Sequence, residues 1–156
     1  MGINDAQFKL AMSQFASGVT VVTTEWKGKP YGMTVASFAS LSLHPPLVLV
    51  CVEKSVKSHD PIVNAGKFGV NILAAHQEEI SNRFAARAGD KFAGIEWASG
   101  SIGVPLIADA LATIECRLHE RLAGGDHSIF VGEVVALASR EGEPLLYFRS
   151  GYRQMR

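Results

Sequence analysis

The feature that most narrows the fold is a series of strand-like runs joined by connections too short to be crossover helices. VTVVTTEW (19–26), LVLVCVE (47–53), FGVNIL (68–73), SIFVGEVVALAS (128–139) and PLLYFRS (144–150) are rich in β-branched and apolar residues. KGKP (27–30), GG (124–125) and EGEP (141–144) read as turns between or beside them. Parallel neighbours need a connection of a dozen or more residues, usually helical. Most of these runs have none, so a doubly wound parallel sheet is excluded in favour of antiparallel pairing. The count is six or seven strands with two or three short helices, which suits a closed antiparallel barrel with helices packed outside it.

The helical segments are short. Asn4 or Asp5 can cap an opening helix in which Phe8, Met12 and Phe15 recur at helical spacing, and Gly18 is expected to stop it. The stretch after LVLVCVE reads as a loop and a short helix ending at Gly66. HQEEISNRFAARAG (76–89) places Ile80, Phe84 and Ala88 on one helical face. YGMTVASFASLSL (31–43) continues in small and hydroxyl residues until Pro45 and Pro46 close it. ALATIECRLHERL (110–122) fits both periods. Leu111, Ile114, Leu118 and Leu122 match a helix, whereas Ile114, Cys116 and Leu118 against Thr113, Glu115 and Arg117 match a strand.

With 156 residues and no Pro- or Ser-rich linker, one domain over 1–156 is expected, large enough for a full core. Fifteen basic and 15 acidic residues balance, so a polyanion such as nucleic acid is a poor partner. No apolar run approaches the roughly 18 residues of a membrane span, and residues 1–10 lack a signal-peptide core. Cys51 and Cys116 sit in apolar runs without CxxC spacing, against a disulfide scaffold or structural zinc. The expectation is a cytoplasmic protein without membrane or metal.

The familiar catalytic signatures are missing. There is no GxGxxG, no Gly-rich loop running into GK[ST], no HExxH and no GxSxG, and the five histidines are scattered. Three polar segments stand out instead. Thr34, Ser37, Ser40 and Ser42 crowd into GMTVASFASLSLHPPL. A strand wetting its polar face accounts for Thr34, Ser40 and Ser42 but leaves Ser37 out of phase. Hydroxyls and backbone N–H groups in such density can also cradle a phosphate or a heterocycle. EKSVKSHDP (53–61) brings Lys54, Ser55, Lys57 and Ser58, which suit phosphate oxygens, although a solvated loop has the same composition. GGDHSIF (124–130) lets the backbone turn sharply before His127.

Taken in order, FASGVTVVTT, GMTVASFASLSLHPPLVLVCV, AGKFGVNILA, GGDHSIFVGEVVA and PLLYFRSGY resemble the short-chain flavin reductases, the reductase components of two-component flavin-dependent monooxygenases. The resemblance covers about Phe15 to Tyr152. It implies a mainly β fold, the FMN-binding split barrel: a six-stranded antiparallel Greek-key barrel with a few short flanking helices, normally a homodimer. It also implies that 110–122 is mainly strand.

The same resemblance implies site residues. Met33, Thr34, Val35, Ala36 and Ser37 are expected along an isoalloxazine ring, largely through backbone groups. Ser40 and the loop Glu53, Lys54, Ser55, Val56, Lys57 and Ser58 are expected at the ribityl chain and phosphate. Asn82 and Arg83 are further phosphate or adenylate contacts, and His127 is the catalytic histidine beside the nicotinamide. Tyr152, Phe15 and Ser17 complete that side. Relatives often carry Asn or Ser where Ala36 stands, so a side-chain contact is lost there.

The implied activity is hydride transfer from NADH or NADPH to FMN or FAD, supplying reduced flavin to a partner monooxygenase. Its needs are two rings stacked at about 3–3.5 Å and donors for the charge that grows on reduction, which backbone N–H groups can offer without a titrating pair. A split-barrel flavoprotein with tightly held flavin, acting as electron carrier or oxidase, is the alternative.

Overall fold

A computed structural model describes residues 2–156, and strands dominate it. In chain order the elements are α1 (Asp5–Met12), β1 (Ser17–Gly18), β2 (Thr20–Trp26), β3 (Lys29–Val35), β4 (Phe38–Ser42), β5 (Leu47–Glu53), α2 (His59–Ala65) and β6 (Lys67–Ile72). A single 3-10 turn (Ala75–Gln77) leads into α3 (Glu78–Ala85). Then come β7 (Trp97–Ser99), β8 (Pro105–Ile107), β9 (Ala112–Gly124), β10 (His127–Ser139), β11 (Leu146–Phe148) and β12 (Gly151–Arg153).

The main sheet runs β3-β2-β6-β9-β10-β5-β4, antiparallel throughout. This corrects the expected count of six and the expected closed barrel. The sheet has seven strands, and its edge strands β3 and β4 do not pair with each other. The extra strand has a simple origin. The run at 31–43 breaks at Ala36–Ser37, so one half pairs with β2 and the other with β5, at opposite edges of the sheet. The mainly β, antiparallel expectation holds, and so does the strand reading of 110–122, since β9 turns Cys116 into the core with Ile114 and Leu118 packed against it.

Register follows from side-chain alternation and turn chemistry. Trp26 faces Lys29 across a two-residue loop in which Lys27 (φ 52°) and Gly28 (φ 76°) both adopt positive φ, as a twist-matched hairpin requires. Alternation along β2 sends Val22 into one core cluster with Val50, Phe68 and Phe130, and Val21 into a second with Leu73, Phe84 and Leu145. β2 is therefore buried on both faces from Thr20 to Thr24.

The helices depart from expectation at their ends. Asn4 caps α1, and with Gln7 it forms a reciprocal capping box. The helix stops at Ser13, whose hydroxyl donates to the Leu10 carbonyl, well before Gly18, which lies in β1 opposite Leu146. α3 stops at Ala85 because Ala86 is extended, so residues 86–89 form a loop. Among the described residues, no helix is long and apolar enough to cross a membrane.

Candidate functional site

The break between β3 and β4 opens onto a cleft of about 890 Å³. Its floor is β3 and the kink, from Lys29 to Ser37. One wall is the end of β5 with the loop after it (Cys51 to Ser58, without Lys54). The other is the end of α3 and the loop 84–92, and His127 stands at the rim. Among the described residues β3 pairs with β2 alone, which leaves its outer edge open to a ligand. Gly32 makes the far wall possible: a Cβ there would lie 2.7 Å from the Phe84 ring. Phe84 can reach β3 only because that side chain is absent.

At the kink the carbonyl groups are spoken for. Ala36 C=O accepts from Phe38 N–H at 2.9 Å, and Ser37 C=O from Cys51 N–H at 3.1 Å. The Ser37 hydroxyl donates to Cys51 C=O at 3.0 Å, and the Thr34 hydroxyl to Ser81 C=O at 2.6 Å. Both side chains thus hold the kink in shape, while the N–H groups of Ala36 and Ser37 have no acceptor among the described residues. The polar groups this segment offers a ligand are backbone donors.

The loop after β5 supplies charge. Ser55 donates to the Glu53 carboxylate at 2.7 Å, which also lies 3.5 Å from Arg87. Among the described residues Lys57 has no carboxylate partner and the Ser58 hydroxyl makes no hydrogen bond. Facing them, Lys91 donates to Gly32 C=O at 3.2 Å and Phe84 C=O at 3.1 Å. Burial, and then the neighbouring Lys57 ammonium, hold the Lys91 amine below the ordinary lysine range. Lys29, Lys57, Arg87 and Lys91 against Glu53 and Asp90 leave the cleft net positive, as an anionic ligand needs.

His127 is half-buried and meets Asp126 through Nδ1 at 2.7 Å. That hydrogen bond, with the attraction between the two groups, holds the Asp126 carboxyl below the usual carboxylate range. Nε2 makes no hydrogen bond among the described residues. The backbone N–H of Lys54 bonds Asp126 C=O at 2.9 Å and its ammonium bonds Gly125 C=O at 2.8 Å. Lys54 therefore lies outside the lining and ties the loop after β5 to the turn that carries His127.

Of the residues expected at the site, Met33, Thr34, Val35, Ala36, Ser37, Glu53, Ser55, Val56, Lys57, Ser58 and His127 line this one cleft. The others lie elsewhere. Ser40 is exposed on β4, paired with Val48. Asn82 accepts from Tyr152 Oη at 3.0 Å, and Tyr152 also meets Ser81 Oγ at 2.6 Å, so both fasten the C-terminal hairpin to α3. Arg83 donates to Ala93 C=O and braces the loop beyond α3. Phe15, 83% exposed, lies on the α1–β1 connection, and Ser17 lies in β1, paired with Tyr147. Pattern reading missed Lys29, Pro30, Tyr31, Gly32, Cys51 and Val52, and the wall built from Phe84–Arg87 and Gly89–Phe92. The wall was hidden by extending α3 to residue 89.

Comparison with known proteins identifies the family. A family profile described as "Flavin reductase like domain" matches residues 12–156. The chain is 43% identical over 151 residues to the flavin-dependent monooxygenase reductase subunit HsaB of Rhodococcus jostii, covering 96% of this chain and 77% of that one. It is 44% identical over 146 residues to FMN reductase (NADH) SmoA of Agrobacterium fabrum, covering 94% and 83%. Its fold superposes with a TM-score of 0.94 on the NADH:FAD oxidoreductase SgcE6 of Streptomyces globisporus, solved with NAD and FAD fragments, at 38% identity over 100% of this chain and 98% of that one. A family match over nearly all of the chain, together with a closely superposing fold, places this protein in the flavin reductase-like family.

Proposed function

We propose that this chain is an NAD(P)H:flavin oxidoreductase that supplies reduced flavin to a partner monooxygenase. The observation that carries the reading is one cleft that gathers unpaired backbone donors at Ala36–Ser37, free phosphate-type donors at Lys57 and Ser58, and His127 at its rim. An apolar floor with two separated donor sets fits a heterocycle carrying a phosphorylated chain. The names of HsaB, SmoA and SgcE6 point the same way.

The flavin supplies the electron-accepting ring and the nicotinamide the hydride. The chain's part is placement. Val35 and Val56 would give the ring apolar surface, and the Ala36 and Ser37 N–H groups would supply donors for the charge that grows on reduction. Lys57 and Ser58 would hold the phosphate. His127, held by Asp126, orients the nicotinamide through its free edge. No residue has to give up a proton to make the transfer possible.

Two features of the wider molecule belong to the same reading. α1 buries no residue, and Ile3, Phe8, Leu10, Met12 and Phe15 are exposed together. A patch of that kind on a chain without net charge suits a homodimer. The bent strand 29–42, with its halves at opposite sheet edges, suits the split-barrel arrangement, and a cytoplasmic location fits an enzyme drawing on soluble nicotinamide.

Oxidation of NADH and NADPH by purified protein, followed by nicotinamide absorbance with FMN, FAD or riboflavin added, tests the proposal. Turnover that rises with flavin and saturates is expected. Flavin binding without oxidation of either nucleotide would replace it with an electron-carrier role. Equilibrium sedimentation tests the dimer, and a monomer at micromolar concentration would remove that part.

A further inference from the structure

The long hairpin of β9 and β10 carries His127 just past its turn, and few bonds hold that turn in place. β6 pairs with β9 only from Ala112 to Arg117, so residues 119–124 border β10 alone and are exposed. On the other side β5 ends at Glu53, directly opposite His127. The turn itself is Gly125, with a positive φ of 66°, and Asp126. Among the described residues, Lys54 alone reaches residues 124–126 from outside the hairpin. Its N–H donates to Asp126 C=O at 2.9 Å and its ammonium to Gly125 C=O at 2.8 Å.

We infer that Lys54 is a positioning residue for the reductase reaction: it holds the turn that sets His127 against the nicotinamide and does not bind the flavin phosphate. The inference rests on the reductase reading above and deepens it. Composition alone groups Lys54 with Lys57 as a phosphate donor, whereas the fold gives the two lysines different surroundings.

Three observations support it. Glu53 and every residue from Ser55 to Ser58 line the cleft, whereas Lys54 between them does not. The Lys54 ammonium is committed to the turn, and its chain neighbour Glu53 is engaged by Ser55 and Arg87 instead. Its charge also reaches the partner of His127: the Asp126 carboxyl is held below the usual carboxylate range first by the His127 hydrogen bond and in smaller part by the Lys54 ammonium. One cation thus supports both the backbone of the turn and the carboxylate that orients the imidazole. A glycine turn without that tie has more conformations open to it, and hydride transfer depends steeply on the alignment of the reacting groups. Ser128, next along, is buried and lies 2.8 Å from His59, so the freedom released without Lys54 falls on the turn side of His127.

The test separates flavin binding from flavin reduction in the wild-type protein, K54M and K54R. FMN and riboflavin affinities are measured by titration calorimetry. The rate at which NADH or NADPH reduces bound FMN is followed anaerobically by stopped flow. K54M keeps the backbone bond to Asp126 and removes only the ammonium, so it isolates the side chain. The expected result is an FMN dissociation constant unchanged in K54M, with reduction about fivefold slower, the equivalent of one net hydrogen bond, and most of the rate restored in K54R. Weaker FMN binding with riboflavin binding kept would make Lys54 a phosphate ligand and overturn the inference. An unchanged reduction rate in K54M would overturn it as well. A K54R rate as slow as that of K54M, or a lower melting temperature with loss of both flavins, would assign the effect to packing and equally overturn it. A wild-type protein whose bound flavin neither nucleotide reduces is a different failure, that of the reductase reading, and it takes this inference with it.

Discussion

The imidazole of His59, 5% exposed, lies 2.8 Å from the hydroxyl of Ser128, and each is the immediate chain neighbour of a residue lining the cleft, Ser58 and His127. Asp60 takes the Nδ1–H at 2.8 Å, so in the neutral ring Nε2 accepts the Ser128 O–H, while the ring packs on Phe130 at 5.2 Å between centres. One buried hydrogen bond thus joins the start of α2 to the first turn of β10. His59→Leu leaves the Ser128 hydroxyl buried without a partner, a cost of about 1–3 kcal/mol. Reduced urea-unfolding stability of that size is expected, with His59→Gln retaining part of it. The two sides of the cleft lose their shared anchor as well, so flavin affinity falls and kcat with NADH falls with it. A His59→Leu protein as stable as wild type would show that the bond contributes nothing net.

Asp126 acts one step closer to the chemistry. Its carboxylate, lowered in pKa first by the hydrogen bond from His127, fixes which imidazole nitrogen carries the proton. Asp126→Ala should therefore lower kcat/KM for NADH several-fold and leave the flavin Kd unchanged. The sign of the pH effect follows from the depressed carboxyl pKa. The pairing is fully present above the ordinary aspartate value and is lost as pH falls through the lower folded value. Carboxyl NMR titration of Asp126 should report that depression in wild type, and its return toward the ordinary aspartate range in His127→Ala.

The contrast between what the sequence carries and what it conceals is clearest around β3. LVLVCVE and the strand at 127–139 are legible because both are rich in β-branched and apolar residues, with β5 and the first half of β10 packing into the core, and the GGDH turn is legible because glycine marks where the backbone bends. The kink at Ala36–Ser37 has no such mark. It depends on β5 capturing the Ser37 carbonyl and hydroxyl, contacts made by residues 14 positions away. The family resemblance implies Tyr152 and Asn82 at the nucleotides. The fold uses them on each other, and Tyr152 on Ser81, to pin a hairpin to α3. Short strands such as β7 and β8 carry too few residues for any period to register.

Gly32 offers a test of the wall opposite the loop after β5. An alanine Cβ there would meet the Phe84 ring at 2.7 and 2.8 Å and Phe92 at 3.3 Å, all side-chain atoms of one aromatic stack. The stack must move outward, carrying the 84–92 loop and the Lys91 bonds to Gly32 and Phe84. Gly32→Ala should cost about 1–3 kcal/mol of stability through overpacking and raise the flavin Kd more than tenfold. A crystal structure of the variant with Phe84 unmoved, or calorimetry showing unchanged affinity, would mean that this wall does not shape the ligand site.

The two thiols should part company under alkylation and alkali. Cys116 is fully buried in the core, and burial, then the adjacent Glu115 carboxylate, push its pKa up from 9.0 to about 12. Cys51 is half-buried on the cleft wall. Iodoacetamide near pH 8 should therefore modify Cys51 in the native protein, more slowly once flavin is bound, and leave Cys116 untouched until unfolding. The raised pKa also links stability to pH. Below 9.0 both folded and unfolded chains keep the Cys116 proton and its contribution is whole. Above that, the unfolded chain ionises while the folded one resists, so stability falls by up to about 1.4 kcal/mol per pH unit until the folded thiol titrates. Urea denaturation from pH 8 to 11 on wild type and Cys116→Ala measures the difference, because the variant lacks this slope. Parallel pH dependence in the two proteins would show that the Cys116 thiol ionises as readily folded as unfolded.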